Sequence, residues 1–222
     1  MTFRFDIIYQ YIPALWTGLQ LTLLVAVSSI ALGILFGVVV AAGRLSPILP
    51  IRLITTVYIE IMRGTPMLIQ LVWVYFAIPI LFGLQLPALV AVVLALTLNA
   101  AAFYGEAMRS GIQAVLREYV ETANVLGLGY FGRLRYVILP QAFRTVLPVL
   151  LSVSISLFKD TSLISTLGVS DLMYVGRNIA SDTYRPLEIL TTVAIIYFVI
   201  AFPTTLVVRR LELHLARHRV AA

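Results

Sequence analysis

Two long stretches without charge constrain this chain more than any other feature. Neither residues 7–43 nor residues 64–105 contain a single Asp, Glu, Lys or Arg. A helix rises ~1.5 Å per residue and needs roughly 20 apolar residues to cross a ~30 Å hydrocarbon layer. The first stretch therefore holds one crossing. The second holds two, divided where Pro79, Gly83 and Pro87 punctuate it. Residues 147–168, interrupted only by Lys159-Asp160, and residues 189–208 supply two more. The pattern predicts an all-α integral membrane protein with five helices, over about 13–43, 53–80, 87–110, 145–168 and 188–208, in a single domain spanning 1–222. Period-2 alternation is absent, which argues against a β-barrel.

Composition agrees. Of 222 residues, 61% are hydrophobic and 12% charged, whereas soluble domains carry roughly 45–50% apolar and about 25% charged residues. Disorder is excluded by the apolar content. The lack of cysteine excludes a disulfide scaffold, a thiolate metal site and a Cys nucleophile. The net charge of +6 needs no nucleic-acid partner, because basic residues accumulate on the cytoplasmic side of membrane proteins. Arg44 and Arg52 flank one loop, Arg117, Arg133, Arg135 and Arg144 lie in another, and Arg209, Arg210, Arg217 and Arg219 follow the last helix. Five spans place all three segments on one side. The N-terminus is then outside and the C-terminus cytoplasmic, in a multi-pass protein. The N-terminal apolar run also exceeds the ~7–15 residues of a signal-peptide core, so no cleaved leader is expected.

Three local patterns have plainer readings than their motifs suggest. Ser29, Gly33, Gly37 and Ala41 form a small-residue stripe that lets membrane helices approach closely, first of all within this chain and alternatively between subunits. Gly127-Leu-Gly129-Tyr-Phe-Gly132 matches a dinucleotide fingerprint, but it follows a helix-like segment rather than a strand. Its glycines are expected to end one short helix and set the turn into the next. His214 and His218 share a helix face without a third ligand, and their segment reads as an amphipathic tail on the membrane surface. The chain has no metal site by this reading. It also has no P-loop: its one lysine is Lys159, so ATP and Mg must be bound by another chain.

Ionisable groups at membrane depth are costly and are functional candidates by default. Glu60 and Arg63 stand at i,i+3, on one helix face. The Gly64-Thr65-Pro66 that follows weakens the helix and frees a backbone carbonyl. Glu106 and Arg109 repeat the spacing. Lys159-Asp160-Thr161-Ser162 lies within the fourth helix. Each cluster could be an ion pair that holds the bundle together. Their balanced signs also suit a polar path for a zwitterionic or charged solute.

The segment Arg117-Glu-Tyr-Val-Glu121-Thr122-Ala123-Asn-Val-Leu-Gly127, then nine residues, then Val137-Ile-Leu139-Pro140, resembles the EAA loop of bacterial ABC-importer permeases. Thr122 stands where that pattern has its central Ala, and Val137 where it has Ile. Thr17-Gly18-Leu-Gln-Leu-Thr22, Glu60-Ile-Met-Arg63-Gly64-Thr65-Pro66, Ala102-Phe103-Tyr104-Gly-Glu106-Ala-Met-Arg109, Pro140-Gln141-Ala142 and Lys159-Asp160-Thr161-Ser162-Leu163 are similar to signatures of the polar amino-acid branch. The resemblance implies a type I importer fold and a substrate path through Arg63, Glu106 and Asp160. It implies a coupling loop at about 113–140 whose short helix, 117–126, docks on a cytoplasmic ATPase through Glu121. Gly127 would make the turn, and Pro140 would restart the chain at the foot of helix four. Implied partners are ATPase subunits, a second permease subunit, an external solute-binding protein, a polar amino acid and the lipid of a bacterial inner membrane. The chain itself would be no enzyme. An ATP-independent channel would not require the EAA spacing, and an intramembrane enzyme would need a nucleophile or metal constellation that the sequence lacks.

Overall fold

The computed structural model describes residues 6–83 and 85–220, and its described regular structure is all helical. Eight helices follow one another. They are α1 (Ile7–Leu45), α2 (Leu49–Gly64), α3 (Met67–Phe82), α4 (Ala88–Gln113), α5 (Arg117–Val125), α6 (Tyr130–Leu167), α7 (Leu172–Thr183) and α8 (Pro186–Val220). By length and composition α1, α4, α6 and α8 each suffice to cross a membrane, and α2 with α3 is apolar enough together to be either a fifth, broken span or a re-entrant loop.

The central pair is α1 and α4. The small-residue stripe of α1 lies against α4, so its packing is intramolecular. A Cβ at Gly33 would sit 2.7 Å from the Cβ of Ala100, and one at Gly37 would sit 2.8 Å from the Cβ of Tyr104. From the facing side, a Cβ at Gly105 would lie 2.6 Å from Cγ1 of Val40. Helix α6 joins this pair from the other flank of α4, where Gly111 faces Val146 and the Tyr104 and Ser154 hydroxyls bond at 2.7 Å. Around these contacts Val25, Leu71, Val92, Leu96, Tyr104 and Ile164 form one buried core. A second cluster, with Leu15, Leu172, Ile189 and Val193, packs the start of α1 against α7 and α8.

Proline shapes two of the helices without ending them. Pro79 and Pro140 each lack the N–H that would bond the carbonyl four residues back, and their rings would strike it. In both places the helix widens to a π-turn just before the ring, at Trp73–Ala77 and Leu134–Ile138. Ile78 N–H then donates to the Trp73 carbonyl, and Leu139 N–H to the Leu134 carbonyl. Pro140 therefore does not restart the chain. Helix four begins at Tyr130 rather than near 145, runs through Pro140, and closes with a 3₁₀ stretch at Thr161–Leu167.

Other differences from the sequence expectation concern length and continuity. The single helix over 53–80 is two helices bent by 112°. Thr65 is extended (φ −115°, ψ 144°), as a residue before proline prefers to be. The 169–187 connection contains α7, and α8 continues well past 208 to Val220. The side chains of His214 and His218 lie outside the described residues.

Because the α1–α4 contact has no room for a side chain, Gly37→Val should lower stability by about 1–3 kcal/mol, the usual range for overpacking. Gly64→Ala is the control, since nothing lies within 4 Å of its would-be Cβ. Thermal unfolding in detergent should separate the two; equal melting temperatures would contradict the close packing.

Candidate functional site

The break between α2 and α3 is where the backbone itself becomes polar inside the bundle. Pro66 cannot donate to the carbonyl of Met62. That carbonyl instead accepts from Gln70 Nε2 at 2.8 Å and from Asn99 Nδ2 at 3.2 Å. Gln70 Nε2 also donates to the Thr65 carbonyl at 3.0 Å and to Thr65 Oγ1 at 2.7 Å. Asn99 Nδ2 reaches Gln70 Oε1 at 2.9 Å. Thr65 Oγ1 in turn donates to the Ile61 carbonyl at 2.8 Å. Two amide side chains thus replace the missing helical bonds and fix the bend against α4. The Tyr58 hydroxyl adds a further tie, donating to the Leu98 carbonyl at 2.5 Å.

Beside this bend the Arg63 guanidinium lies over the Phe103 ring, 5.4 Å from its centroid. It therefore uses a cation–π contact. Among the described residues no ion pair links it to Glu60, which is exposed on α2; the i,i+3 spacing does not bring the two together. One turn of α4 past Phe103, Glu106 receives Arg109 through Nε at 2.9 Å and through Nη2. Arg109 also holds Gln113. Arg44, at the end of α1, places Nε 3.7 Å from Glu106 and donates through Nη1 to Thr56 Oγ1 at 2.7 Å. Glu106 on α4 is therefore tied to α1 through Arg44, which in turn holds Thr56 of α2, and two arginines meet the one carboxylate.

The Lys159–Ser162 cluster is separate from this network. Lys159 is exposed, Asp160 half-buried and Thr161 fully buried. Thr161 Oγ1 donates to the Phe158 carbonyl at 2.6 Å and Ser162 Oγ to the Lys159 carbonyl at 2.8 Å. These bonds to nearby carbonyls accompany the change from α to 3₁₀ geometry directly after Asp160. Gly64, Thr65 and Pro66 are exposed at the bend.

The loop at the other end of α6 is a compact hook. Helix α5 presents Glu121 to solvent, and its pairing with Arg117 at 3.8 Å leaves both side chains mostly exposed (67% and 93%), a contact that contributes little stability. Thr122 bonds back to the Glu118 carbonyl. Ala123 is 2% exposed, with α5 leaning on the π-turn of α6. Gly127 has φ +75°. Gly127 N–H donates to Asn124 and Leu128 N–H to Ala123, both at 3.0 Å, a Schellman closure that favours glycine at this position. Arg133 then bonds Asn124 across the turn. Leu139 and Pro140 are exposed on α6.

Sequence reasoning did not single out Gln70, Asn99, Phe103 or the Arg44–Glu106 contact. A search for charges passes over amides. The signal was available, because Pro66 predicts an orphan carbonyl and Gln70 lies one helical turn beyond it.

The comparisons agree with this architecture. Residues 33–217 match the family described as binding-protein-dependent transport system inner membrane component. The arginine transport system permease protein ArtQ of Bacillus subtilis is 33% identical over 212 residues, covering 96% of this chain and 97% of the relative. The glutamine transport system permease protein GlnP of Escherichia coli is 34% identical over 213 residues, covering 96% and 97%. A crystal structure of an amino acid ABC transporter with histidines superposes with a TM-score of 0.88 at 37% identity, over 98% of this chain and all of that one. An inward-facing MetNI methionine ABC transporter shares the fold alone, at 21% identity and a TM-score of 0.70 over 91% of this chain and 98% of that one. The chain is a multi-pass inner-membrane transport component and belongs to the binding-protein-dependent permease family. Its fold is that of a type I ABC-importer permease.

The amide clamp predicts a mutant cycle. Gln70→Leu leaves the Met62 and Thr65 carbonyls short of donors and should cost about 1–3 kcal/mol. Adding Pro66→Ala restores a helical N–H for Met62 and should recover part of that loss. Additive effects in thermal unfolding would refute the link between Gln70 and the proline break.

Proposed function

We propose that this chain is the membrane-spanning permease subunit of an ATP-driven importer for polar or charged amino acids. One observation carries the reading: α6 runs unbroken from the Gly127 hook to Lys159-Asp160. A stiff helix then connects the place where an ATPase would push to the place where a solute would pass. The named relatives, which transport arginine and glutamine, support the substrate class.

In this reading the hook end is cytoplasmic, with the N-terminus outside and the C-terminus inside. ATP and Mg sit on two ATPase subunits, not on this chain. Glu121 and Thr122, exposed on α5, dock on the ATPase, Ala123 seats α5 against the rest of the hook, Gly127 fixes its angle, and Leu139 and Pro140 lie where α6 leaves the hook. A second permease subunit completes the path, and an external binding protein delivers the solute. Closure of the ATPases on ATP displaces α5 and tilts α6, which rocks the bundle between its two openings. Arg63 and Glu106 can meet the two charges of a zwitterion. Arg109 holds Glu106 in place, Glu60, Gly64, Thr65, Pro66, Lys159, Asp160 and Ser162 complete the polar lining, and the buried Thr161 supports it from behind.

Reconstituted with its ATPase and binding protein, the wild type should take up L-arginine or L-glutamine only with ATP. Asp160→Ala should abolish most uptake while the ATPase still co-purifies. Glu121→Ala should instead weaken ATPase association. Unchanged uptake in the first variant, or tight and fully coupled complexes in the second, would refute the corresponding role.

A further inference from the structure

At the end of the bundle away from the hook, four elements converge on one buried carboxylate. Asp171 precedes α7 and is 0% exposed. Its Oδ1 accepts the Tyr174 N–H at 2.8 Å and so caps α7. Its Oδ2 lies 3.5 Å from the Tyr197 hydroxyl of α8. Thr22, 0% exposed on α1, accepts the Leu172 N–H at 3.0 Å and donates to the Gly18 carbonyl at 3.0 Å. Gly18 lets α1 pass directly beneath this point, since a Cβ there would lie 3.0 Å from Cα of Leu172. The Tyr197 ring rests on Phe158, with centroids 5.4 Å apart.

The arrangement costs more than a simple helix cap requires. A surface Ser or Asn would cap α7 without burying a carboxylate. What the buried version adds is a connection. The Tyr197 side chain stands between the start of α7, which its hydroxyl approaches, and Phe158, on which its ring rests. The Phe158 carbonyl in turn accepts from Thr161, the residue immediately after Lys159-Asp160, so the α-to-3₁₀ change at that point is braced from the Tyr197 side.

We propose that Asp171 and Tyr197 are positioning residues for transport, forming a buried joint that makes α7 and the Lys159–Ser162 turn move as one body. Neither residue touches the solute. The joint transmits displacement of α7 to the polar turn, and of the turn to α7, through Tyr197. This rests on the importer reading for its consequence in transport, but the joint itself is testable without it.

Protonation offers a readout specific to the carboxyl. Burial pushes Asp171 up to about 6, above its ordinary value of 3.8. The groups packed against it are Tyr197 from α8, Thr22 from α1 and the backbone of α7; Tyr197 is the titratable one among them. A raised folded-state value favours the protonated form in the fold. The stability it contributes is complete below the ordinary value and disappears as pH rises through about 6.

The experiment uses the complex with its ATPase and binding protein, and the variants Tyr197→Phe and Asp171→Asn, which preserve ring packing and shape. Tyr197→Phe should speed amide hydrogen exchange over residues 159–162 and leave the α1–α4 contact unchanged. Both variants should lower the maximal rate of ATP-driven L-arginine or L-glutamine uptake by roughly fivefold, about the worth of one hydrogen bond, with KM unchanged. Between about pH 4 and pH 6.5 the wild type should lose melting temperature relative to Asp171→Asn, with little further change at higher pH. Wild-type exchange at 159–162 in Tyr197→Phe overturns the joint whatever the transport result. Normal maximal rates in both variants overturn its role in transport. A wild type that takes up neither probe counts against the importer reading, while the exchange and melting measurements still decide the joint.

Discussion

The close approach of α1 and α4 governs the rest of the molecule. Gly33, Gly37 and Gly105 let the two backbones meet where side chains would hold them apart. In lipid this contact has no hydrophobic force behind it, so fit and dispersion must supply the attraction. Its consequences appear at both ends of α1. At one end Arg44 reaches Glu106. At the other, Gly18 and Thr22 come under the start of α7. Without the central contact neither polar junction would form.

A second constraint is that every backbone group inside a membrane must find a partner within the protein. The chain satisfies this at proline in two ways. Where the helix must continue, at Pro79 and Pro140, a π-turn shifts the donors by one residue. Where it must bend, at Pro66, the freed Met62 carbonyl is taken by Gln70 and Asn99. The difference lies in what stands nearby. Two amides face the Pro66 break, whereas Pro79 and Pro140 lie where the helix backbone widens; Pro13, Pro148 and Pro203 also lie inside helices. The first solution yields a polar corner beside Arg63 and Phe103, and the second a long continuous α6.

Much of this was legible in the sequence. Uncharged runs located the spans because length and charge alone decide whether a segment can enter lipid. The stripe at Ser29, Gly33, Gly37 and Ala41 foretold a close helix contact, and Gly127 foretold a turn, because glycine enters the left-handed region at φ +75° without strain. The i,i+3 spacing was reliable for Glu106 and Arg109. It failed for Glu60 and Arg63, because spacing shows which side chains share a face but not which partner each one takes; the Arg63 guanidinium lies over Phe103 on α4. Pro140 misled for a related reason. A proline announces one missing hydrogen bond, and only the neighbouring turns decide whether the helix breaks or widens. Asp171 drew no notice because its partners lie on α1 and α8, far away in sequence.

The proposed transport cycle requires α6 to act as a rigid connection between the hook and the Lys159–Ser162 turn. The chain has no cysteine, so spin labels can be introduced in pairs without background. In the assembled importer, pulsed electron resonance should give one distance between labels at Tyr130→Cys and Ser156→Cys that stays fixed when ATP is added and hydrolysis is trapped. The distance between labels at Tyr130→Cys and Leu45→Cys should shift by several ångströms under the same conditions. A change within the first pair, with the second unmoved, would mean that α6 flexes instead of transmitting and would contradict the mechanism.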